Sequence, residues 1–266
     1  MTSVGVGARP ARHPAVVALA ALTCLVLAAC GSGRPGAAAS APAGGRHTVT
    51  VLAAASLTEA FTAIAKDAEA AHPGLDVRLS FAASSTIVAQ VNEGAPADVI
   101  ALAGQEALKP LQPGHVVPHG TTVFTTNRLE VATPPADPGH VERLADLARP
   151  GLKVVLCAPQ VPCGNAARTA LAEAGVRAHV VSYERDVKAA LAKVELGEAD
   201  AAIVYHSDVV SAGDRVRGVP IGADVNQVLR YPICRLDDSA GARQLVAAVL
   251  SAKGQAALRE NGFGAR

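Results

Sequence analysis

The sequence predicts an α/β fold in which two lobes each carry a parallel sheet covered by helices. Short apolar segments alternate with helical patterns along most of the chain, as expected of parallel strands joined by crossover helices. Half of the 266 residues are apolar, so a buried core can form. Aromatic residues make up only 3% and no basic stripe stands out, so nucleic-acid binding is not predicted.

The first set of alternating elements forms a βαβαβ unit. β-branched residues dominate its first strand, and Leu57, Phe61 and Ile64 recur at helical spacing directly behind that strand. A second strand, a second helical face and a buried third strand follow. We expect these elements at residues 48–54, 57–68, 76–82, 87–91 and 97–104.

A second set of elements predicts a second lobe. Its elements, with a closing strand and helix, are expected at residues 124–134, 153–158, 164–174, 178–183, 187–194, 200–205, 231–236 and 242–250. The first lobe then comprises residues 47–123 and 229–266, and the second comprises residues 124–228. The crossing segments near 123–127 and 226–231 are the predicted hinge, and a ligand is expected in the cleft between the lobes.

Residues 1–29 have the pattern of a secretory signal peptide. Arg9 and Arg12 supply a basic start, and the apolar run AVVALAALTCLVLAA follows without an acidic residue. The run is short for a membrane span and ends in small residues. Without Arg9 and Arg12 the chain has 22 basic and 23 acidic residues, a net charge of −1.

The letters LAAC at the end of this run resemble a bacterial lipobox. The resemblance implies that Cys30 is the lipidated first residue of the mature chain, and the alternative is ordinary cleavage after an A-x-A pattern. Residues 30–46 contain no large apolar side chain, so they are expected to form a flexible tether. The sequence therefore predicts an extracytoplasmic protein anchored to the cell membrane.

The five cysteines divide between the leader and the folded chain. Cys24 lies in the predicted signal peptide and Cys30 in the lipobox, leaving Cys157, Cys163 and Cys234. Export permits a disulfide, and Cys157 and Cys163 flank the turn-like segment APQVP. A local bridge fits this spacing, but the sequence leaves the pairing open. No metal-ligand spacing accompanies these cysteines, so no metal cation and no cofactor are expected.

One arrangement recurs four times along the chain. A strand ends in small residues and a helix begins at once, at AAASL, FAASST, VPCGNA and ERDVKA. A helix amino terminus offers unpaired N–H groups and can bind an anion, although ordinary capping is the alternative at any single junction. Ser56 and Glu59 also have the spacing of a capping box.

These segments together resemble the periplasmic molybdate-binding proteins of ABC importers. The resemblance rests on AAASLTEAF, FAASST, GAPADVIALA, VPCGNAAR, DVKAALAKVELGEADAAIVYHSD and YPI, in this order, closing with NGFG. It covers nearly all of residues 48–264. It implies a two-lobed periplasmic-binding-protein fold of type II, a monomer that captures molybdate or tungstate, and delivery to an ABC permease.

The resemblance also implies the ligand-binding residues. Ser56 and Ser84 match two serines that donate from the first lobe, Val187 matches a backbone donor, and Tyr205 matches a hydroxyl donor. Cys163 departs from the family, which has a small residue there that donates through its backbone N–H. A Cys157–Cys163 bridge would turn the sulfur away from the ligand and hold the loop.

The five residues supply neutral donors, which suits a fully deprotonated oxyanion. Phosphate would also need an acceptor for its proton, whereas sulfate and tungstate remain alternatives to molybdate. Lys188 and Arg168 are interpreted as residues on a solvated helix face.

No nucleophile motif accompanies the adjacent pair His206 and Asp208, which are interpreted as solvent-facing or hinge-side residues. The sequence therefore predicts a binding protein and not an enzyme. The less favoured alternatives are a secreted α/β hydrolase, which would need a base near Ser56 or Ser84, and a structural lipoprotein.

Overall fold

The strands of the protein are arranged in one mixed sheet in a computed structural model that describes residues 47–113 and 121–266. The predicted signal peptide, the lipobox cysteine Cys30 and the tether lie outside the described residues. Among the described residues no helix has the length and apolar character needed to cross a membrane.

Nine strands and seven α-helices are present in the described parts of the chain. The strands are β1 His47–Ala54, β2 Leu75–Ala82, β3 Val99–Ala101, β4 Thr121–Thr133, β5 Val154–Cys157, β6 Val180–Glu184, β7 Ala201–Tyr205, β8 Arg217–Pro220 and β9 Val228–Arg235. The helices are α1 Thr58–Ala71, α2 Ser84–Asn92, α3 Pro162–Glu173, α4 Val187–Glu195, α5 His206–Ala212, α6 Ala240–Leu250 and α7 Ala252–Glu260.

The strand order is β2-β1-β3-β9-β4-β7-β5-β6, with β8 paired to β4. β1 pairs in parallel with β2 and β3, and β5 pairs in parallel with β6 and β7. These two parallel groups confirm the α/β fold. Because parallel strands place their carboxyl ends at one edge, the helix starts that follow them gather there.

The antiparallel strands β4 and β9 join the two parallel groups. β4 pairs with β9 through Arg128 and then with β7 and β8 from Leu129 onward. A register irregularity lies between Val123 and Thr125, inside the predicted hinge segment. The lobe boundaries themselves remain a prediction.

Alternation along β1 explains how helices cover both faces of the sheet. Val51 and Ala53 belong to the large hydrophobic core, whereas Leu52 packs with Ile87 and Ile100 in a smaller cluster. Successive strand residues point to opposite faces, so an apolar strand without polar alternation is buried on both sides. The described residues all fall within one compact unit, Gly44–Arg266.

Three elements were not predicted, and one strand is shorter than expected. α5, α7 and β8 are short, and α7 begins directly after α6 because Ser251 caps it by accepting a hydrogen bond from the Gly254 N–H. The run expected to be a strand at 97–104 is a strand only over β3. Asp98 and Leu102 make backbone hydrogen bonds outside the ladder, and Gly104 has a positive φ of 88° that ends the extended run.

Candidate anion-binding site

A small buried cavity lies where the carboxyl ends of the parallel strands meet. The centre of a water-sized sphere can move through about 20 Å³ of this cavity, which leaves room for one small group. All five residues predicted to bind the ligand line it, and each is between 1% and 4% exposed. They are Ser56, Ser84, Cys163, Val187 and Tyr205. The structure therefore brings together residues that are as many as 149 positions apart in the sequence.

The lining is small and neutral except for one carboxylate. Alanines from the ends of β1, β2 and β3 form much of the wall, and small side chains allow a close approach to the backbone. No lysine or arginine among the described residues lines the cavity. The one acid, Asp186, caps α4 by accepting from the Ala189 N–H and lies 3.5 Å from Arg185.

Ser84 is the first residue of α2, and its hydrogen bond with Ala103 determines whether its hydroxyl donates or accepts. Its Oγ accepts a hydrogen bond from the backbone N–H of Ala103 at 2.8 Å. An N–H group can only donate, so the hydroxyl proton of Ser84 stays available for another acceptor. The α2 helix begins after Ala83 without a side-chain cap, so its first N–H groups also lack helical partners.

Ser56 lies in a short 3-10 turn, Ala55–Leu57, between β1 and α1. Its Oγ is 2.9 Å from the hydroxyl of Tyr231 on β9. The predicted capping box is therefore wrong, because α1 begins at Thr58 and Leu57 occupies the N-cap position. The carboxylate of Glu59 does not turn back to the N–H of Ser56 and binds Lys188 instead.

Cys163 lies in the first turn of α3, where a helix leaves backbone N–H groups unpaired. A disulfide joins it to Cys157 at the end of β5, so its sulfur is committed to that bond. The next residue must be glycine, since a Cβ on Gly164 would overlap the carbonyl oxygens of Cys157 and Ala158. Pro162 at the first helical position has no N–H to lose.

Val187 and Tyr205 complete the lining from the second parallel group. Val187 is the first residue of α4, so its N–H has no helical partner. Tyr205 ends β7, and its hydroxyl is buried without a hydrogen-bond partner among the described residues. Burial, and then the nearby Tyr231 and Asp208, raise the pKa of Tyr205 well above its usual value, so the hydroxyl keeps its proton.

A charged group lies beside the cavity and is called the Lys188 cluster, comprising Lys188, Glu59, Asp208 and Ser211. Lys188 Nζ is 2.9 Å from both carboxylate oxygens of Glu59, 3.0 Å from Ser211 Oγ and 3.3 Å from Asp208 Oδ1. The side chain of Lys188 is only 25% exposed. The interpretation of Lys188 as a solvated residue is therefore wrong, whereas Arg168 is exposed and bonds Asn165.

Asp208 is also not solvent-facing, since it is completely buried. Its Oδ2 accepts the backbone N–H of Tyr205 at 3.1 Å and so fixes the start of α5. Burial raises the pKa of Asp208 to about 6, although Lys188 and the Tyr205 N–H oppose the increase. His206 is partly buried and bonds Glu130, so this pair has structural partners and no nucleophile.

The site can hold an anion through several neutral donors at once. Two serine hydroxyls, one tyrosine hydroxyl and the starts of three helices converge on one small space. The sequence did not predict that Tyr231 and Asn127 lie beneath Ser56, although Tyr231 stands in the YPI motif. Among the described residues no group of three or more metal-ligating side chains is present.

The chain is similar to several known solute-binding proteins. The family of bacterial extracellular solute-binding proteins matches residues 49–264. The molybdate-binding protein ModA of Mycobacterium tuberculosis is 38% identical over 240 residues, covering 89% of this chain and 92% of that protein. ModA of Haemophilus influenzae is 32% identical over 82% of this chain and 90% of that protein.

A solved structure shows the same fold. The periplasmic molybdate-binding protein of Azotobacter vinelandii superimposes with a TM-score of 0.73 at 20% identity, covering 82% of this chain and 99% of that chain. These relatives are solute-binding proteins, which confirms that the chain is not an enzyme. The predicted type II periplasmic-binding-protein fold is also confirmed. The chain belongs to the bacterial extracellular solute-binding proteins and, within them, to the ModA-like family.

Proposed function

We propose that this protein captures molybdate outside the cytoplasm and delivers it to the permease of an ABC importer, with tungstate as a second ligand. The observation that carries the proposal is the single cavity lined by Ser56, Ser84, Cys163, Val187 and Tyr205. The ModA proteins that share up to 38% of its sequence support the choice of molybdate.

The chemistry of the lining favours a fully deprotonated oxyanion. The hydroxyls and helix N–H groups donate, and no lysine or arginine of the described chain lines the cavity. Molybdate, tungstate and sulfate present only acceptor oxygens to such donors. Hydrogen phosphate carries a proton, and burying that proton without an acceptor would cost roughly 1–3 kcal/mol. The one carboxylate of the lining, Asp186, already accepts the Ala189 N–H as the cap of α4.

The size of the cavity argues against organic solutes. Pockets for drug-sized ligands occupy about 300–1,000 Å³, far more than one small inorganic ion needs. Nine of the twelve residues that line the cavity are buried. We therefore assign a compact tetrahedral ion as the ligand.

Release to the permease requires the site to open. We propose that residues 47–123 with 229–266 form one lobe and residues 124–228 the other. The segments 123–127 and 226–231 would be the hinge, since β4 changes pairing partners directly after the first of them, between Arg128 and Leu129. The two lobes then close around the ion by rotation at this hinge.

Titration calorimetry of the purified protein with molybdate, tungstate, sulfate and phosphate tests the proposed ligand. We expect tight binding of molybdate and tungstate, weaker binding of sulfate and the weakest binding of phosphate. A thermal-shift panel gives an independent reading, because a ligand of the native state raises the apparent stability. Sulfate binding as tight as molybdate would identify the protein as a receptor for sulfate instead.

We further propose that a lipid on Cys30 anchors the protein to the cell membrane and that residues 30–46 act as the tether. The LAAC sequence supports this assignment. Cell fractionation of Cys30→Ser is the test, since the variant should move from the membrane fraction to the soluble extracytoplasmic fraction. Unchanged membrane association of Cys30→Ser would contradict the lipid anchor.

A further inference from the structure

A chain of buried hydrogen bonds runs beneath the cavity and ends at Ser56. Asn127 of β4 lies next to Tyr231 of β9, with 3.4 Å between Asn127 Nδ2 and the tyrosine hydroxyl. The same hydroxyl is 2.9 Å from Ser56 Oγ. All three residues are no more than 3% exposed, so water does not readily replace any of these partners.

The orientation of the Asn127 amide is fixed by a group that can only donate. The backbone N–H of Arg128 donates to Asn127 Oδ1 at 3.0 Å, which identifies that atom as the oxygen. The amide nitrogen therefore faces the other way. It donates to Ser207 Oγ at 2.8 Å and to the hydroxyl of Tyr231.

The direction of the remaining bonds follows from this orientation. Tyr231 accepts from Asn127, so its own proton is free for the Oγ of Ser56, which lies 2.9 Å away. Ser56 Oγ then accepts from Tyr231, and the proton of Ser56 is left for an acceptor in the cavity that Ser56 lines. The opposite direction would leave the buried proton of Tyr231 unpaired, which is unfavourable.

We propose that Asn127 and Tyr231 are positioning residues that orient the Ser56 hydroxyl as a donor toward the cavity and so disfavour oxyanions that carry a proton. This inference rests on the proposed function and adds the residues that set its specificity. Ser84 is committed in the same sense, because the Ala103 N–H already occupies its Oγ as an acceptor. One lone pair of each serine oxygen is then in use, and the proton of each hydroxyl is free to be donated to the ligand.

Reversing the direction of the hydrogen bonds from Asn127 through Tyr231 to Ser56, here called the relay, should reduce the preference for molybdate over phosphate. In Asn127→Asp the side chain presents an acceptor where the amide donates, so Tyr231 would donate to the carboxylate and accept from Ser56. Ser56 would then turn a lone pair toward the cavity. That lone pair would give hydrogen phosphate an acceptor at Ser56, in addition to the carboxylate of Asp186 in the lining.

The test compares Tyr231→Phe and Asn127→Asp with the native protein and with Tyr183→Phe. Tyr183 is a matched control because it is 56% exposed and does not line the cavity. Binding of molybdate and competition by phosphate are measured by calorimetry at about pH 8, where phosphate has two charges and one proton. Both ligands are then dianions, so a change in overall electrostatic attraction largely cancels in the affinity ratio.

We expect the molybdate-to-phosphate affinity ratio to fall at least roughly tenfold in Asn127→Asp, while Tyr231→Phe loses about tenfold in molybdate affinity and part of the selectivity. Tyr183→Phe should match the native protein. Folding of each variant is checked by circular dichroism, and Tyr231→Phe carries the test alone if Asn127→Asp does not fold. An unchanged molybdate-to-phosphate affinity ratio in a folded variant would contradict the proposed roles of Asn127 and Tyr231. If the native protein does not bind molybdate, the proposed function is wrong and this inference falls with it.

Discussion

The cavity and the Lys188 cluster lie side by side and connect the same elements with opposite chemistry. Ser56 and Glu59, Val187 and Lys188, and Tyr205 and Asp208 are close neighbours in the sequence, and the first of each pair lines the cavity. The second of each pair joins the Lys188 cluster.

The difference shows how the protein separates recognition from charge. The ammonium of Lys188 donates hydrogen bonds to Glu59 and Ser211 and forms an ion pair with Asp208, so its charge is already compensated within the cluster. The cavity is left with neutral donors, whose directions can discriminate between oxyanions. We therefore expect changes in the cluster to affect stability most and changes in the cavity to affect binding most.

The largest effect is expected from Lys188→Met. Removal of the ammonium leaves the fully buried carboxylate of Asp208 without its cation, and breaking such a pair typically costs about 4 kcal/mol. Urea denaturation measures this loss in unfolding free energy. Lys193→Met on the same helix is the matched control, because its pair with Glu198 is exposed and should contribute less than about 1 kcal/mol. Equal losses in the two variants would contradict the role of the cluster.

Asp208→Asn should change how stability depends on pH. The folded pKa of Asp208, about 6, lies above the ordinary 3.8, so the native state holds this proton more strongly. The contribution is present below about pH 4 and is lost as the pH rises through about 6. Between these limits the native protein should lose about 3 kcal/mol relative to Asp208→Asn, at about 1.4 kcal/mol per pKa unit. Urea titrations at several pH values measure the unfolding free energy of both proteins. If the two curves of unfolding free energy against pH run parallel, the prediction is wrong.

Loss of the disulfide should affect both stability and binding. The double variant Cys157→Ser, Cys163→Ser opens a loop closed over a sequence separation of 6. A loop of this length predicts a loss of about 2.5 kcal/mol in unfolding free energy. The first turn of α3 is also released, so molybdate affinity should fall. Binding that is unchanged in the double variant would show that the helix start is positioned without the bridge.

The smallest effect is expected from Ser84→Ala, which should lower the binding affinity. A hydrogen bond to a charged ligand is worth about 2 kcal/mol, so calorimetry should show a weaker complex. Ser85→Ala is the matched control, since Ser85 is the next residue of α2 and does not line the cavity. Equal affinities of Ser84→Ala and the native protein would remove Ser84 from the site.

Local sequence patterns were sufficient for most of the fold and for the cavity lining. Each strand that ends in small residues before a helix places that helix start at the same sheet edge, so four separate segments could be assigned to one site. The short elements escaped prediction because their patterns cover less than two helical turns or one short strand. α7 is longer, at nine residues, but it follows the predicted closing helix α6 without a loop, so no separate helix was predicted there.

Contacts between distant residues could not be predicted. Glu59 and Lys188 are 129 residues apart, so the local spacing of Ser56 and Glu59 indicated a capping box that tertiary pairing replaced. Asp208 was interpreted as a solvent-facing or hinge-side residue, whereas in the structure it is completely buried and forms an ion pair with Lys188. The hydrogen bonds of the Tyr231 hydroxyl could not be predicted either, since its partners lie on two other elements.

The aromatic residues beneath the cavity also make the protein its own optical sensor. Tyr231 stands edge-to-face with Phe124, Phe263 and Tyr205, with ring centroids 5.6–6.4 Å apart. The chain has no tryptophan and only three tyrosines, so its ultraviolet emission comes from tyrosine alone. Two of these three fluorophores are Tyr205, which lines the cavity, and Tyr231, which contacts Ser56. An ion that enters the cavity should therefore alter the emission of an unlabelled sample, with exposed Tyr183 as a constant background.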